Sequence, residues 1–299
     1  MLFQPPNDQV EVPYIMRALD PEVKDVIWAA FEPRIPRPID NHPLGCHRAR
    51  ASDKDCFEVI VVRLATGCSW EDAERLTGNK VSDTTARARR DEWVAAGVFE
   101  AVNQEALSGY DKVVGLDLTE VAVDGSLHKS PCGGEGTGKN PTDRGKLGWK
   151  WSILTDKFGI PIGVAIDGAN RNDSILLAPT LDDAAKLGLL KDIETLWLDR
   201  GYDSQATIER LVEREINDAI IAKKRKKGQG KAKNPQPMGM RWPVERTNSW
   251  LSNFGQLRRN TDRKVTHRLA QFALAVTFLL TAKLIDWRNR WSPQSSPIR

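Results

Sequence analysis

Between residues 113 and 222 the apolar residues come in short runs, and this spacing limits the fold more than any other feature of the chain. The runs at 113–118, 121–123, 149–154, 160–166 and 195–198 are rich in Val, Ile, Leu and Trp and too short for amphipathic helices, so each reads as a strand. A helical pattern at 203–215 follows the Leu-Trp-Leu run, and 219–222 reads as another short strand. Strands alternating with helices predict an α/β domain. The Gly-rich stretch 131–148 interrupts it and is expected to be a loop.

Upstream the period is helical. Residues 1–50 contain Pro5, Pro6, Pro13, Pro21, Pro33, Pro36, Pro38 and Pro43 and are expected to be an irregular arm. Ser52 with Asp55 forms a capping box, Phe57, Ile60, Val61 and Leu64 recur on one face, and Gly67 ends that helix. Ser69 with Asp72 starts a short helix ending near Gly78, and Ser82 starts a third that runs to Gly97. Three short helices around a Gly-Asn-Lys turn match the outline of a helix-turn-helix, with a small helical bundle bearing an incidental basic face as the alternative. Its third helix carries Arg87, Arg89 and Arg90, which are expected to meet phosphates or guanine edges, with Ala86, Trp93 and Ala96 facing the core.

The C-terminal part is strongly basic. Residues 221–299 hold 18 Lys and Arg against Glu245, Asp262 and Asp286, a net charge of +15, which leaves −11 for the first 220 residues of a chain whose total is +4. Such asymmetry points to a polyanionic partner, because each cation set against a phosphate releases condensed counterions; a basic surface without a partner is the alternative. Lys223, Lys224 and Arg225 begin a basic loop at 223–233 that sits among Gly and Pro. Pro243 then opens a helix, and a last helix is expected at 265–287, with Leu269, Phe272, Ala273, Val276, Leu280 and Leu284 on or near one face. The uncharged apolar stretch 269–282 is shorter than the ~20 residues of a membrane-spanning helix. The mixed composition of residues 1–20 is not that of a secretory leader. Cys46, Cys56, Cys68 and Cys132 lack C-x-x-C spacing and read as reduced thiols, and His42, Cys46, His47 and Cys56 are too irregularly spaced for a structural zinc site.

Three acids stand out. Asp124, in Val-Ala-Val-Asp-Gly-Ser, is expected where a strand gives way to a Gly turn, and Asp199 occupies the same kind of place in Leu-Trp-Leu-Asp-Arg-Gly-Tyr. The carboxyl ends of strands in open α/β sheets line the crevice where ligands bind. Glu245 falls in the first turn of a helix, with no other acid between Asp218 and Asp262. Such carboxylates suit magnesium, which prefers oxygen ligands and is commonly shared with substrate phosphates.

Five runs carry a resemblance: Val-Asp-Gly-Ser at 123–126, Thr-Asp-Arg-Gly-Lys-Leu-Gly at 142–148, Gly-Ala-Asn-Arg-Asn-Asp-Ser at 168–174, Leu-Asp-Arg-Gly-Tyr-Asp-Ser at 198–204 and Arg-Trp-Pro-Val-Glu-Arg-Thr-Asn-Ser-Trp-Leu at 241–251. In this order they make the chain similar, over residues 53–287, to DDE transposases of bacterial insertion sequences, in the group named after insertion sequence five, within the wider insertion-sequence-four-like superfamily. The resemblance implies a ribonuclease-H-like catalytic domain at 106–299 behind an N-terminal arm and helical helix-turn-helix domain at 1–105. It implies Asp124, Asp199 and Glu245 as the catalytic acids, with Asp124 chosen over Asp117 for its Asp-Gly-Ser context. Two Mg2+ ions, or Mn2+, are implied as cofactors. The implied reaction is attack of water at the element's end, freeing a 3′-hydroxyl that then attacks target DNA. The implied partners are double-stranded DNA, as terminal inverted repeats and target, and a second copy of the chain on paired ends, in the bacterial cytoplasm at the nucleoid. Arg241 fits the family pattern around the third acid, whereas Met238 and Ser252 stand where related transposases have Tyr and Lys, leaving Arg246, Arg258 or Arg259 to replace those contacts. His128, Lys129 and Arg200 lie near the acids in sequence and are further candidates for phosphate contacts. A DNA-binding regulator or inactive transposase copy, and a metal-dependent nuclease without joining activity, are the alternatives.

Overall fold

The structure, a computed structural model, describes residues 18–37, 50–223 and 242–291. Its N-terminal part is helical: α1 (Pro21–Phe31), α2 (Asp53–Thr66), α3 (Trp70–Leu76), α4 (Asp83–Ala95) and α5 (Val98–Val113). The serines expected to start helices do so, because the hydroxyls of Ser52, Ser69 and Ser82 accept from the backbone N–H of Asp55, Asp72 and Thr85 at 3.2, 3.0 and 3.2 Å. Two expectations fail here. Residues 21–31 form a helix rather than an irregular arm, since Asp20 caps it, Pro21 occupies its first turn, and Val23, Ile27, Trp28 and Phe31 all find buried places. Residues 113–118 form no strand, because the buried face of α5, through Val102, Leu107 and Tyr110, carries the helix on to Val113.

The remainder alternates: β1 (Glu120–Lys129), β2 (Gly138–Lys139), β3 (Leu147–Thr155), β4 (Pro161–Gly168), α6 (Asp173–Lys186), β5 (Thr195–Leu198), α7 (Gln205–Val212), β6 (Ala219–Ile221), α8 (Trp242–Ser252), α9 (Gly255–Arg258) and α10 (Val265–Trp291). This is the expected mixed α/β fold. Across the sheet the order is β4, β3, β1, β5, β6, with β3 antiparallel to both β1 and β4 and with β5 and β6 parallel to β1. Residues directly opposite in an antiparallel pair share a face. Asp124, Ser126 and His128 therefore lie on the face of Ile153, Trp151 and Trp149, which α8 and α10 cover, whereas Gly125 lies with Ser152 on the α6 face.

Residues 131–148, expected as a loop, contain β2, whose Gly138 and Lys139 pair with Gly148 and Leu147. The buried guanidinium of Arg268 fixes the stretch by donating to the carbonyls of Glu135, Gly133 and Asp262 and to the Ser130 hydroxyl. The last helix is not a one-faced amphipathic element. Residues 270–282 are all buried and Leu269 is the exposed one, because α10 runs between the helical part, chiefly α5, and the sheet. By length and composition α10 could cross a membrane, but most of its apolar window is buried inside the fold. Cys56, Cys68 and Cys132 are free thiols, and the His42, Cys46 and His47 positions lie outside the described residues.

One buried carboxylate joins these parts. Asp262 meets Arg63 of α2 at 3.3 Å and Arg90 of α4 at 3.0 Å and accepts from Gln271 of α10. Burial pushes its carboxyl up, but the two guanidiniums outweigh that and hold it below the usual range. Its contribution to stability is therefore present above the unfolded value near 3.8 and is lost as pH falls through the folded value. Removing the carboxylate strands two buried cations, so Asp262→Ala is expected to lower the unfolding free energy by about 3–5 kcal/mol, measured by urea denaturation at neutral pH.

Candidate active site

Asp124 lies in the middle of β1, not at its end. The pairing of β1 with β3 continues from Asp124 opposite Ile153 to Lys129 opposite Gly148, so Gly125 makes no turn. Gly125 answers a different need: a Cβ there would come within 2.5 Å of the Asp173 carboxylate, which reaches over the sheet from the start of α6. That carboxylate is held at 2.7 Å by Lys150, a buried lysine of β3 that also donates to the Arg171 carbonyl at 2.8 Å.

Asp199 follows β5 directly, and its side chain accepts from the Gly201 N–H at 2.6 Å, capping the short 3-10 helix Arg200–Tyr202. The parallel register pairs Ala122 with Trp197. Carried two residues further, it brings Asp124 beside Asp199. Tyr202 lies buried under them: burial, followed by the negative charges of Asp173, Asp124 and Asp199, raises its phenol far above the ordinary value.

Glu245 is exposed in the first turn of α8. Three residues on, Asn248 is buried on the sheet side, where its amide donates to Asp124 at 3.2 Å and accepts from the Trp151 indole at 2.7 Å. Residues three apart share a helix face, so this brace ties Glu245's helix to the strand of Asp124. Asn248, Asp173 and Lys150 had no role in the sequence reading. Asn248 and Asp173 stood inside two of the recognised runs, but only the fold shows what they touch.

The donors near one another are carboxylate oxygens, the chemistry that divalent magnesium or manganese prefers. Among the described residues no three His, Cys, Asp or Glu side chains close around one point.

The candidate phosphate contacts divide sharply. Arg89 and Arg90 are buried and ion-paired, Arg89 to Asp53 at 2.7 Å and Glu92 at 3.0 Å, and Arg90 to Asp91 at 2.7 Å and Asp262 at 3.0 Å. They are corrected to internal ties, since their charge is already spent inside the bundle. His128 is corrected likewise: it is buried, stacked on Trp151 with ring centroids 3.6 Å apart, and bonded to Ser126 at 2.8 Å. Arg87 is half-exposed but paired to Asp83 at 2.6 Å and Glu71 at 3.5 Å. Arg246 donates to the Phe158 carbonyl at 2.7 Å and lies over the rings of Trp242 and Trp250. Lys129, Arg200, Arg258 and Arg259 are exposed, and Lys223 is exposed beside Asp203 at 3.3 Å. Lys224, Arg225 and Arg241 lie outside the described residues.

A family model described as "Transposase DDE domain" matches residues 113–280, more than half of the chain. The chain belongs to the transposase DDE domain family. A second model, described as "Putative transposase of IS4/5 family", matches residues 23–103, the helical part of this DDE-family chain. Among curated relatives, the "Putative transposase for insertion sequence element IS402" of Burkholderia cepacia is 38% identical over 133 residues, 43% of this chain and 60% of the relative. The "Insertion element IS402 uncharacterized 16.2 kDa protein" of the same organism is 28% identical over 121 residues, 40% of this chain and 82% of the relative. The chain thus spans less than two thirds of the first relative's length.

Burial lowers the His128 imidazole to about 3, so it stays neutral in the fold while the unfolded chain takes up a proton below about 6.5. A depressed value means stability present above 6.5 and lost as pH falls, by up to about 1.4 kcal/mol per unit. His128→Phe, which keeps an aromatic ring for Trp151, is expected to remove that component of the loss between pH 6.5 and 5, read as the difference between the two proteins' denaturation curves. Asn248→Leu leaves the Trp151 N–H unpaired and is expected to cost about 1–3 kcal/mol by the same measurement.

Proposed function

We propose that this protein is a DDE transposase that cuts DNA at the ends of an insertion element and joins the freed ends to target DNA, with Asp124, Asp199 and Glu245 as its catalytic acids. The observation that supports this most is the parallel register of β1 and β5, which brings two of the acids together, with the Asn248 brace tying the third acid's helix to the same strand. The strand order, with three antiparallel strands followed by two parallel ones, favours a ribonuclease-H-like catalytic domain. The division at about residue 105, with α2, α3 and α4 as a helix-turn-helix, belongs to the same reading. So do a second copy on paired ends, double-stranded DNA as terminal repeats and target, and a place in the bacterial cytoplasm at the nucleoid.

Two divalent ions, Mg2+ or Mn2+, held by these carboxylates would supply Lewis-acid activation of the attacking oxygen and charge stabilisation of the leaving oxygen. The chain's own residues do the remaining work. Asn248 donates to one oxygen of Asp124 and so orients that carboxylate. The Gly201 N–H fixes Asp199. Lys129, Arg200, Arg258 and Arg259, exposed around the acids in sequence or beside β1, hold phosphates and keep the strand in place. Lys223, Lys224, Arg225, Arg241 and Arg246 are proposed to extend that basic surface. No covalent enzyme intermediate is needed, because the freed 3′-hydroxyl is itself the second nucleophile.

The test is cleavage and strand transfer on a labelled duplex carrying the element's own ends, with magnesium or manganese, comparing the wild type with Glu245→Gln. Joined products that need the metal and fall by at least a hundredfold in the variant are expected. Cleavage without joining would replace this reading by a nuclease, binding without chemistry by a regulator or inactive copy, and full activity in Glu245→Gln would remove that residue from the acids.

A further inference from the structure

Residues 140–146 form a compact turn between β2 and β3. Its centre is Asn140, buried, whose side-chain oxygen accepts from the Thr142 N–H at 2.9 Å and hydroxyl at 2.8 Å. The Asn140 N–H donates to the Lys146 carbonyl at 2.8 Å, and its carbonyl accepts from Gly145 at 3.0 Å. Behind the turn, β2 is paired to β3, and the Arg268 guanidinium ties the preceding residues to the start of α10. The turn is therefore fixed at both ends.

At its tip stands Arg144, with φ of +50°. This left-handed region is disfavoured for a residue with a side chain, and Gly or Asn would occupy it at lower cost. A side chain kept in such a conformation at the surface points to a use for that side chain. Arg144 is exposed and enters no ion pair among the described residues. Exposed Lys139 and Lys146 flank it, and the facing acid, Asp143, reaches Lys146 only at 4.0 Å.

The turn's position relates it to the acids. Five residue steps along β1 lead from Asp124 to Lys129, about 17 Å of strand. Lys129 pairs with Gly148, which in turn pairs with Gly138. On the other side Lys129 bridges to Arg259, one of the exposed cations already assigned to phosphates. The turn thus lies on the order of 20 Å from the carboxylates, roughly half a helical turn of duplex DNA at about 3.4 Å per base pair.

We propose that the turn at residues 139–146 is a second DNA-binding site, in which Arg144, with Lys139 and Lys146, grips backbone phosphates of the duplex about half a turn from the cutting site. The proposal rests on the transposase reading, since that reading supplies the duplex. The grip is independent of sequence, because it offers cations to phosphates and nothing to base edges.

The experiment measures equilibrium binding, not chemistry: fluorescence anisotropy of the full chain with a labelled 30-base-pair duplex of arbitrary sequence, in EDTA, across a series of NaCl concentrations. Arg144→Gly takes the same backbone without strain and is expected to melt no lower than the wild type. It should bind several-fold more weakly near 0.1 M salt, with the slope of log affinity against log salt smaller by about 0.9, one phosphate contact. Arg144→Lys should keep the slope. Affinity and slope in Arg144→Gly equal to the wild type's would overturn the proposal, as would a loss accompanied by a lower melting temperature and not recovered by Arg144→Lys. A wild-type chain that fails to bind the duplex at all would overturn the transposase reading first, and the grip with it, before any variant is compared.

Discussion

The ion cluster around Asp262 sets where the other parts of the molecule sit. Taking a carboxylate and two guanidiniums out of water costs several kcal/mol for each ion, and the cost is offset only where geometry and further hydrogen bonds are good. Here they are: Arg63 also reaches the Thr261 hydroxyl at 2.8 Å, Gln271 donates to the carboxylate, and the Asp262 N–H is taken by Asn260 at 2.9 Å. Asn260 in turn donates its own N–H to the Lys129 carbonyl at the end of β1. A single buried charge thereby connects α2 and α4 to the strand that carries Asp124. Arg90 is the telling member, because its position in the helix-turn-helix pattern marks it for DNA and its surroundings assign it to the interior.

Close backbone approach completes what the charges begin. Gly67 ends α2 in the left-handed conformation, and Gly255 starts α9 so near to it that a Cβ on Gly255 would fall 2.3 Å from the Thr66 carbonyl carbon. Neither residue could carry a side chain without moving α9 away. The helix so placed ends at Arg258, and its neighbour Arg259 bridges to Lys129 at the end of β1. Gly125 acts similarly on the other face, where the missing side chain lets Asp173 close over the strand.

Much of this was legible in the sequence, and what was not has a physical pattern. Helix starts at Ser52, Ser69 and Ser82 were readable because a cap is a local bargain between one hydroxyl and one N–H. The short strands at 149–154, 160–166 and 195–198 were readable because pleated, buried strands select Val, Ile, Leu and Trp. The failures are those of context. The run at 113–118 has strand composition but is claimed at its start by a helix whose buried face is longer than the run. Asp124 followed by Gly looks like a strand end, yet the glycine serves a neighbour on α6. His128, Arg89 and Arg90 look like surface chemistry, and no local rule reports that an aromatic ring or a carboxylate distant in sequence has taken them. The candidate acids stand out through their surrounding runs; the Asn248 brace joins residues 124 positions apart, and no spacing rule could have named it.

The same contrast explains how the site is built. Carboxylates set close together repel one another, so they are poor contacts for holding a fold together. In this protein the holding is done by other residues. Asn248 braces Asp124, the Gly201 N–H donates to Asp199, and Lys150 pairs with Asp173. Glu245 rides on a helix whose buried side is fixed by Val244, Thr247, Asn248 and Leu251. Asp124 is thus oriented by a neutral donor, Asp199 by a backbone group and Glu245 by a helix face, while the scaffold around them is fixed separately. The rigidity belongs to the braces, and the acids remain exposed or half-buried where a phosphate could reach them.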